Sequence, residues 1–128
     1  MRRFQRCVLH AVIMFVIGLA GIGSAAAAGA LAVGACGAYG QAFGYRDINA
    51  AQNNALQQCK EPRCRVVATL RRSCAALAVD VTNPCRAYGS GQAPTLGPAQ
   101  NSALRQCYRG GGKDCVIRAF VCDGKDKS

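Results

Sequence analysis

Nine residues written twice constrain this chain more than any other feature. Ala51 to Cys59 reads AQNNALQQC and Ala99 to Cys107 reads AQNSALRQC, with two differences between them. Self-similarity at a period of a few tens of residues means one supersecondary unit used more than once. In each copy the alanines and leucine recur at helical spacing, and the apolar stripe ends in a cysteine. Whatever surrounds one copy is therefore expected to surround the other.

The flanking residues bear this reading. Ala30-Leu-Ala-Val-Gly34 is echoed by Ala76-Leu-Ala-Val-Asp80, and Cys36-Gly-Ala-Tyr-Gly40 by Cys85-Arg-Ala-Tyr-Gly89. Glycines between two short segments mark a hairpin. Asp47 and Thr95 stand where each helix needs an N-cap, and Pro98 falls in a first turn, where its missing N–H costs nothing. Cys64 to Leu70 and Cys115 to Val121 are short, β-branched and bounded by turn residues, so each reads as a closing strand. The order β-β-α-β twice predicts an α+β fold: a tandem repeat forming one mainly antiparallel sheet with two helices on one face. Repeat 1 is expected at about 30–74, repeat 2 at about 75–122, and a polar tail at 123–128. Simple alternation directs Val66, Ala68, Leu70, Ile117, Ala119 and Val121 toward the helices. It directs Arg65, Val67, Thr69, Val116, Arg118 and Phe120 to an open face.

Residues 1–28 read as a secretory signal peptide: three arginines by Arg6, an almost wholly apolar run from Val8 to Gly21, then small residues. Cleavage is expected after Ala26 or Ala28, leaving a single domain at 29–128 that is periplasmic or secreted and not inserted in a membrane. Cys7 and His10 depart with the leader, so eight of the nine cysteines remain, the chain's one histidine is lost, and the net charge falls from +10 to about +7. An even cysteine count in an exported chain of about 100 residues reads as a closed disulfide set supporting a thin core.

Two of the bridges follow from short helix-to-strand connections, Cys59–Cys64 and Cys107–Cys115. Eight cysteines allow 105 connectivities. Cys74–Cys122 is favoured next, as two equivalent strand-end residues that would tie the copies together. Cys36–Cys85 follows by elimination. A zinc site would need paired-cysteine spacing or histidine ligands, and the mature chain has neither, so no metal and no cofactor is expected.

The residues Gly37-Ala-Tyr-Gly40, Ala55-Leu-Gln-Gln-Cys59, Cys64-Arg-Val-Val67, Cys74-Ala-Ala-Leu-Ala78, Ala103-Leu-Arg-Gln-Cys107 and Phe120-Val-Cys122 resemble the secreted bacterial domain of unknown function 4189. The resemblance covers essentially the whole mature chain. It implies an exported, disulfide-stapled module and brings no established chemistry with it.

Catalytic constellations are weak. Gly110-Gly-Gly-Lys113 follows a helix rather than preceding one, which suits a turn and not a phosphate loop. Nucleophilic catalysis usually draws on a neighbouring histidine. The carboxylates are each accounted for: Asp47 as a cap, Asp80 and Asp114 as turn residues, Glu61 between bridged cysteines, and Asp123 and Asp126 in the tail. The expectation is a small non-enzymatic binding module, of the kind that serves as a periplasmic inhibitor or immunity protein. The alternatives are a small enzyme acting on envelope polymers and a structural envelope component. Basic residues outnumber acidic ones by 16 to 6, which selects an anionic envelope component or an acidic protein as partner. Nucleic acid is not expected, because interleaved aromatics and a recognition element are missing. Arg65, Arg118 and Phe120, all on the predicted open face, are the candidate partner-binding residues.

Overall fold

The structure, a computed structural model, describes residues 27–124. The remainder of the expected signal peptide and the last four residues of the tail lie outside them. The element order is β1 (Ala28–Val33), a single 3₁₀ turn (Ala35–Gly37), β2 (Tyr39–Tyr45), α1 (Ile48–Cys59) and β3 (Arg65–Leu70). It continues with β4 (Ser73–Asp80), β5 (Tyr88–Ala93), α2 (Leu96–Arg109) and β6 (Cys115–Asp123). The chain is α+β, but the single sheet of the sequence reading is wrong. There are two antiparallel three-stranded sheets, ordered β2-β1-β3 and β5-β4-β6.

The sheets pack face to face. Leu31, Val33, Ala68 and Leu70 of the first meet Ala75, Leu77, Val79, Ala119 and Val121 of the second in one buried cluster. Each helix covers the outer face of its own sheet: Ala51, Ala55 and Cys59 of α1 lie on Ala30, Ala32 and Ala42. Ala99, Ala103 and Cys107 of α2 lie on Cys74, Ala76 and Ala78. The layers therefore run helix, sheet, sheet, helix, and the face expected to be open is the centre of the molecule.

Two bulges explain why alternation misassigned the closing strands. Along β3 the register steps from Leu31↔Ala68 to Ala32↔Val66, leaving Val67 extra. Along β6 it steps from Leu77↔Ala119 to Ala78↔Ile117, leaving Arg118 extra. One additional residue turns every later side chain to the other face. Val66 and Ile117 do pack toward the helices, whereas Ala68, Leu70, Ala119 and Val121 point into the space between the sheets. Thr69, assigned to the open face, instead faces α1, where its hydroxyl accepts from Gln52 Nε2 at 3.0 Å.

The helices lie very close to their sheets, and the glycines show why. A Cβ at Gly89 would overlap the Ala103 carbonyl oxygen, and one at Gly40 the Ala55 carbonyl oxygen. Small residues on both partners permit this approach. The Asp47 carboxylate caps α1 by accepting from Asn49 N at 3.1 Å, whereas the Thr95 side chain makes no cap bond to α2.

Four disulfides staple the layers: Cys36–Cys85, Cys59–Cys64, Cys74–Cys122 and Cys107–Cys115. Two bind a helix end to the strand that follows it. Cys74–Cys122 joins partners in register on β4 and β6, adjacent strands of one sheet. It does not tie the halves together, contrary to the expectation from sequence. That link is Cys36–Cys85, which connects the 3₁₀ turn of the first half to the β4–β5 turn of the second.

Candidate functional site

Stacked three-stranded sheets leave edge strands beside one another, and here they create two grooves. On one side β2 runs along β6; on the other β5 runs along β3. The β2–β6 groove holds a cavity of about 400 Å³. From β2 come Tyr39, Gln41 and Phe43; from β6 come Arg118 and Phe120, with Ala119 and Val121 as apolar floor. Phe43 is 65% exposed and Phe120 50%, large values for rings that share one cavity.

Local irregularities set these side chains. Ala28 pairs with Tyr45 but Ala30 with Ala42, so Phe43 and Gly44 together oppose Gly29. Gly44 takes φ +76° to make that bulge. Bulges re-aim side chains at sheet edges, and this one presents Phe43 to solvent. The bulge on β6 does the same for Arg118. The Arg118 stem passes beside Gly37, where a Cβ would sit 3.5 Å from Arg118 Cδ. Its guanidinium carbon lies 6.0 Å from the centroid of the Tyr39 ring, a cation–π arrangement that holds the arginine at the groove mouth. Gln41 Oε1 is buried there with no hydrogen-bond partner, an acceptor turned into the groove wall.

The opposite groove is a built-in comparison. Ser90 and Gln92 stand where the first has Gln41 and Phe43, and Val67 is its bulge residue in place of Arg118. Gln92 Nε2 donates to Thr69 O at 3.0 Å, tying β5 to β3 of the other sheet, and to Ser73 Oγ of β4 at 3.4 Å. That edge holds a cavity of about 310 Å³ lined by small and polar side chains such as Ser90, Gln92 and Ser102. The β2–β6 edge carries aromatic rings and a cation instead.

Of the three residues singled out from sequence, Arg118 and Phe120 meet in the β2–β6 groove. Arg65 does not join them. It lies at the end of β3, its Nη2 donating to the Tyr88 hydroxyl at 3.4 Å, beside a separate cavity of about 340 Å³ that also borders the Cys36–Cys85 bridge. Sequence reasoning missed Tyr39, Gln41 and Phe43, treating them as a hairpin arm. The available signal was two large aromatics on a glycine-rich strand whose counterpart in the second half, Tyr88 to Ala93, has a glutamine in place of the second.

The acidic residues do other work. Asp80, fully buried at the end of β4, accepts from the Thr82 hydroxyl at 2.7 Å, from Thr82 N at 3.0 Å and from Lys113 N at 3.1 Å. The Thr82 hydroxyl foremost, with the Lys113 N–H, lowers its pKa to about 2. Glu61 mirrors it: its Oε2 accepts from Ala35 N and Arg63 N, both at 3.0 Å, so the loop after α1 is locked to the end of β1. Among the described residues no carboxylate lines the β2–β6 groove. Among the described residues no three His, Cys, Asp or Glu side chains gather as a metal-holding group. Among the same residues no helix is long and apolar enough to cross a membrane. The groove offers flat apolar faces, one guanidinium and one unsatisfied amide oxygen, which is equipment for holding a ligand.

Comparison with known proteins gives one match: the model of a family described as a domain of unknown function, DUF4189, covers residues 28–122. No curated protein and no solved structure matches the chain.

Proposed function

For a chain that belongs to the DUF4189 family, we propose the role of an exported, disulfide-stapled binding module that holds an envelope component in the β2–β6 groove. One observation carries this reading. Two edge grooves share the same strand architecture, yet one is bridged by Gln92 and lined by small and polar side chains, while the other exposes Tyr39, Phe43 and Phe120 around Arg118. Exposed rings and an arginine gathered in a cavity gain from being covered, and they are the side-chain types enriched where partners bind. Four disulfides suit an oxidising compartment outside the cytoplasm. An inhibitory role would follow wherever the bound component is another enzyme or its substrate.

The test is an amide-resolved NMR titration of the oxidised mature chain with polysaccharide and protein fractions of a bacterial envelope. Shifts clustered at residues 39–43 and 118–121 are the expected result. Shifts confined to Ser90–Gln92 and Val67, or to neither groove, overturn the assignment.

A further inference from the structure

We propose that the ligand of the β2–β6 groove is a segment of carboxylated polysaccharide, its sugar rings lying on Tyr39, Phe43 and Phe120 and its carboxylate held by Arg118. The inference rests on the groove being the binding site and goes further by naming what fills it.

The first argument is size and shape. A cavity of about 400 Å³ falls within the range of about 300–1,000 Å³ usual for small-molecule sites. It suits a short run of a polymer better than the broad face of a folded protein. Tyr39 and Phe43 are four positions apart on one strand, roughly 13 Å at strand rise, a length that several pyranose rings cover. Rings exposed by 37%, 65% and 50% present flat faces, and the C–H faces of sugars stack on such surfaces without needing a deep pocket.

The second argument is polarity. Among the described residues lining the groove, Arg118 is the cation and no carboxylate offsets it. A planar guanidinium grips a carboxylate through two parallel hydrogen bonds. Of the 16 basic residues, three leave with the expected leader and 13 remain against 6 acidic, and two of those six, Asp80 and Asp123, are buried. The surface therefore attracts a polyanion toward this site.

The third argument separates a glycan from an extended acidic peptide. Peptides commonly bind edge strands by adding a strand of their own, which requires free backbone groups along a regular edge. Here both edges are spoiled for that purpose. β2 is bulged at Phe43–Gly44, and Gln41 N is occupied by Gln58 Oε1 of α1 at 3.4 Å. β6 is bulged at Arg118. Bulges and covered amides are the devices by which edges refuse another strand. What remains is side-chain recognition by stacking and charge.

The experiment titrates the labelled, oxidised mature chain with tetragalacturonate, a hyaluronan tetrasaccharide and a muramic-acid-containing disaccharide. The fully methyl-esterified tetragalacturonate serves as uncharged control, and a hexamer of glutamate as the peptide. At least one acidic sugar should shift amides at 39–43 and 118–121. The esterified control should bind about tenfold more weakly, or worse. Arg118→Gln should abolish the difference between acid and ester, and Arg118→Lys should restore part of it. Phe43→Gln, which copies the opposite groove, should weaken both forms alike. Both positions are exposed, so thermal melts of the three variants should match the parent chain. Binding of the glutamate hexamer at the groove with no acidic sugar binding overturns the glycan and leaves the groove standing. If no probe shifts the groove, both readings fall. Acidic-sugar binding indifferent to Arg118→Gln assigns the effect to surface charge and overturns the proposal.

Discussion

Removing Cys36–Cys85 should cost about 4 kcal/mol of chain entropy, about twice the entropic share of removing Cys59–Cys64, whose Cys59 is also packed in the α1 cluster. The two cysteines of the first pair are exposed, so Cys36→Ser with Cys85→Ser opens no cavity and the loss is one of chain entropy. The loop spans 49 residues, which gives about 4 kcal/mol on the chain-entropy model. The intact Cys59–Cys64 bridge offers the unfolded chain a shortcut, but its separation of 5 trims the loop to roughly 45 residues and leaves the figure at about 4 kcal/mol. The short loop closed by Cys59–Cys64 itself gives about 2 kcal/mol. The assay is equilibrium urea unfolding of each double variant with its remaining three bridges verified by mass mapping. The slope should be compared as well, since a freer unfolded chain exposes more surface. A loss for the Cys36–Cys85 variant well below about 4 kcal/mol, with the slope unchanged, would refute the entropic account.

Gly89→Ala should destabilise by about 1–3 kcal/mol, because the new methyl meets the Ala103 carbonyl of α2 and a packed layer must move. Gly97→Ala, on the same helix with nothing within reach of its Cβ, should stabilise by about 0.5 kcal/mol in the same unfolding assay. Asp80, with its pKa lowered from 3.8 to about 2, favours the folded state most above pH 4, and that contribution disappears as pH falls toward 2. Asp80→Asn should therefore be less stable than the parent near neutrality and converge with it between pH 4 and 2; parallel urea midpoints across that window would exclude the Asp80 contribution. N-terminal sequencing of exported protein should find Ala27 first rather than Gly29, since Ala28 is fully buried and pairs with Tyr45.

The nearly verbatim helical motif pointed to two helices, and both form. The cap at Asp47 followed from local chemistry, whereas Thr95 makes no cap bond and Asp123, read as tail, is a buried residue of β6. The splitting of the sheet was harder to read. Arg71 and Arg72 look like an ordinary turn between neighbouring strands, yet β3 and β4 end up in different sheets. A pointer did exist: Ala28–Val33 and Ala75–Asp80 are buried without interruption, and their sequences are apolar at nearly every position. Such runs mark strands covered on both faces; a sheet with one open face would alternate. The bulges at Val67 and Arg118 left no composition signal, since any residue can be the extra one. Without them the facing of Phe120 and Thr69 could not be deduced, and with them went the site. Gln41 and Phe43 became visible as site residues once β2 was seen to lie beside β6, a juxtaposition created by layer stacking and unrelated to distance along the chain.

The two-residue link between β3 and β4 has a consequence for survival among proteases. Arg71 and Arg72 are exposed, an inviting dibasic site for trypsin-like proteases. A cut there falls between the halves. Cys59–Cys64 stays within the N-terminal piece, and Cys74–Cys122 and Cys107–Cys115 stay within the C-terminal one. Cys36–Cys85 alone among the four crosses the nick. A clipped molecule would run as one band on a non-reducing gel and as two after reduction, with its layers still clamped together. The bridge that looks peripheral in the folded protein thus works as insurance against losing half of it.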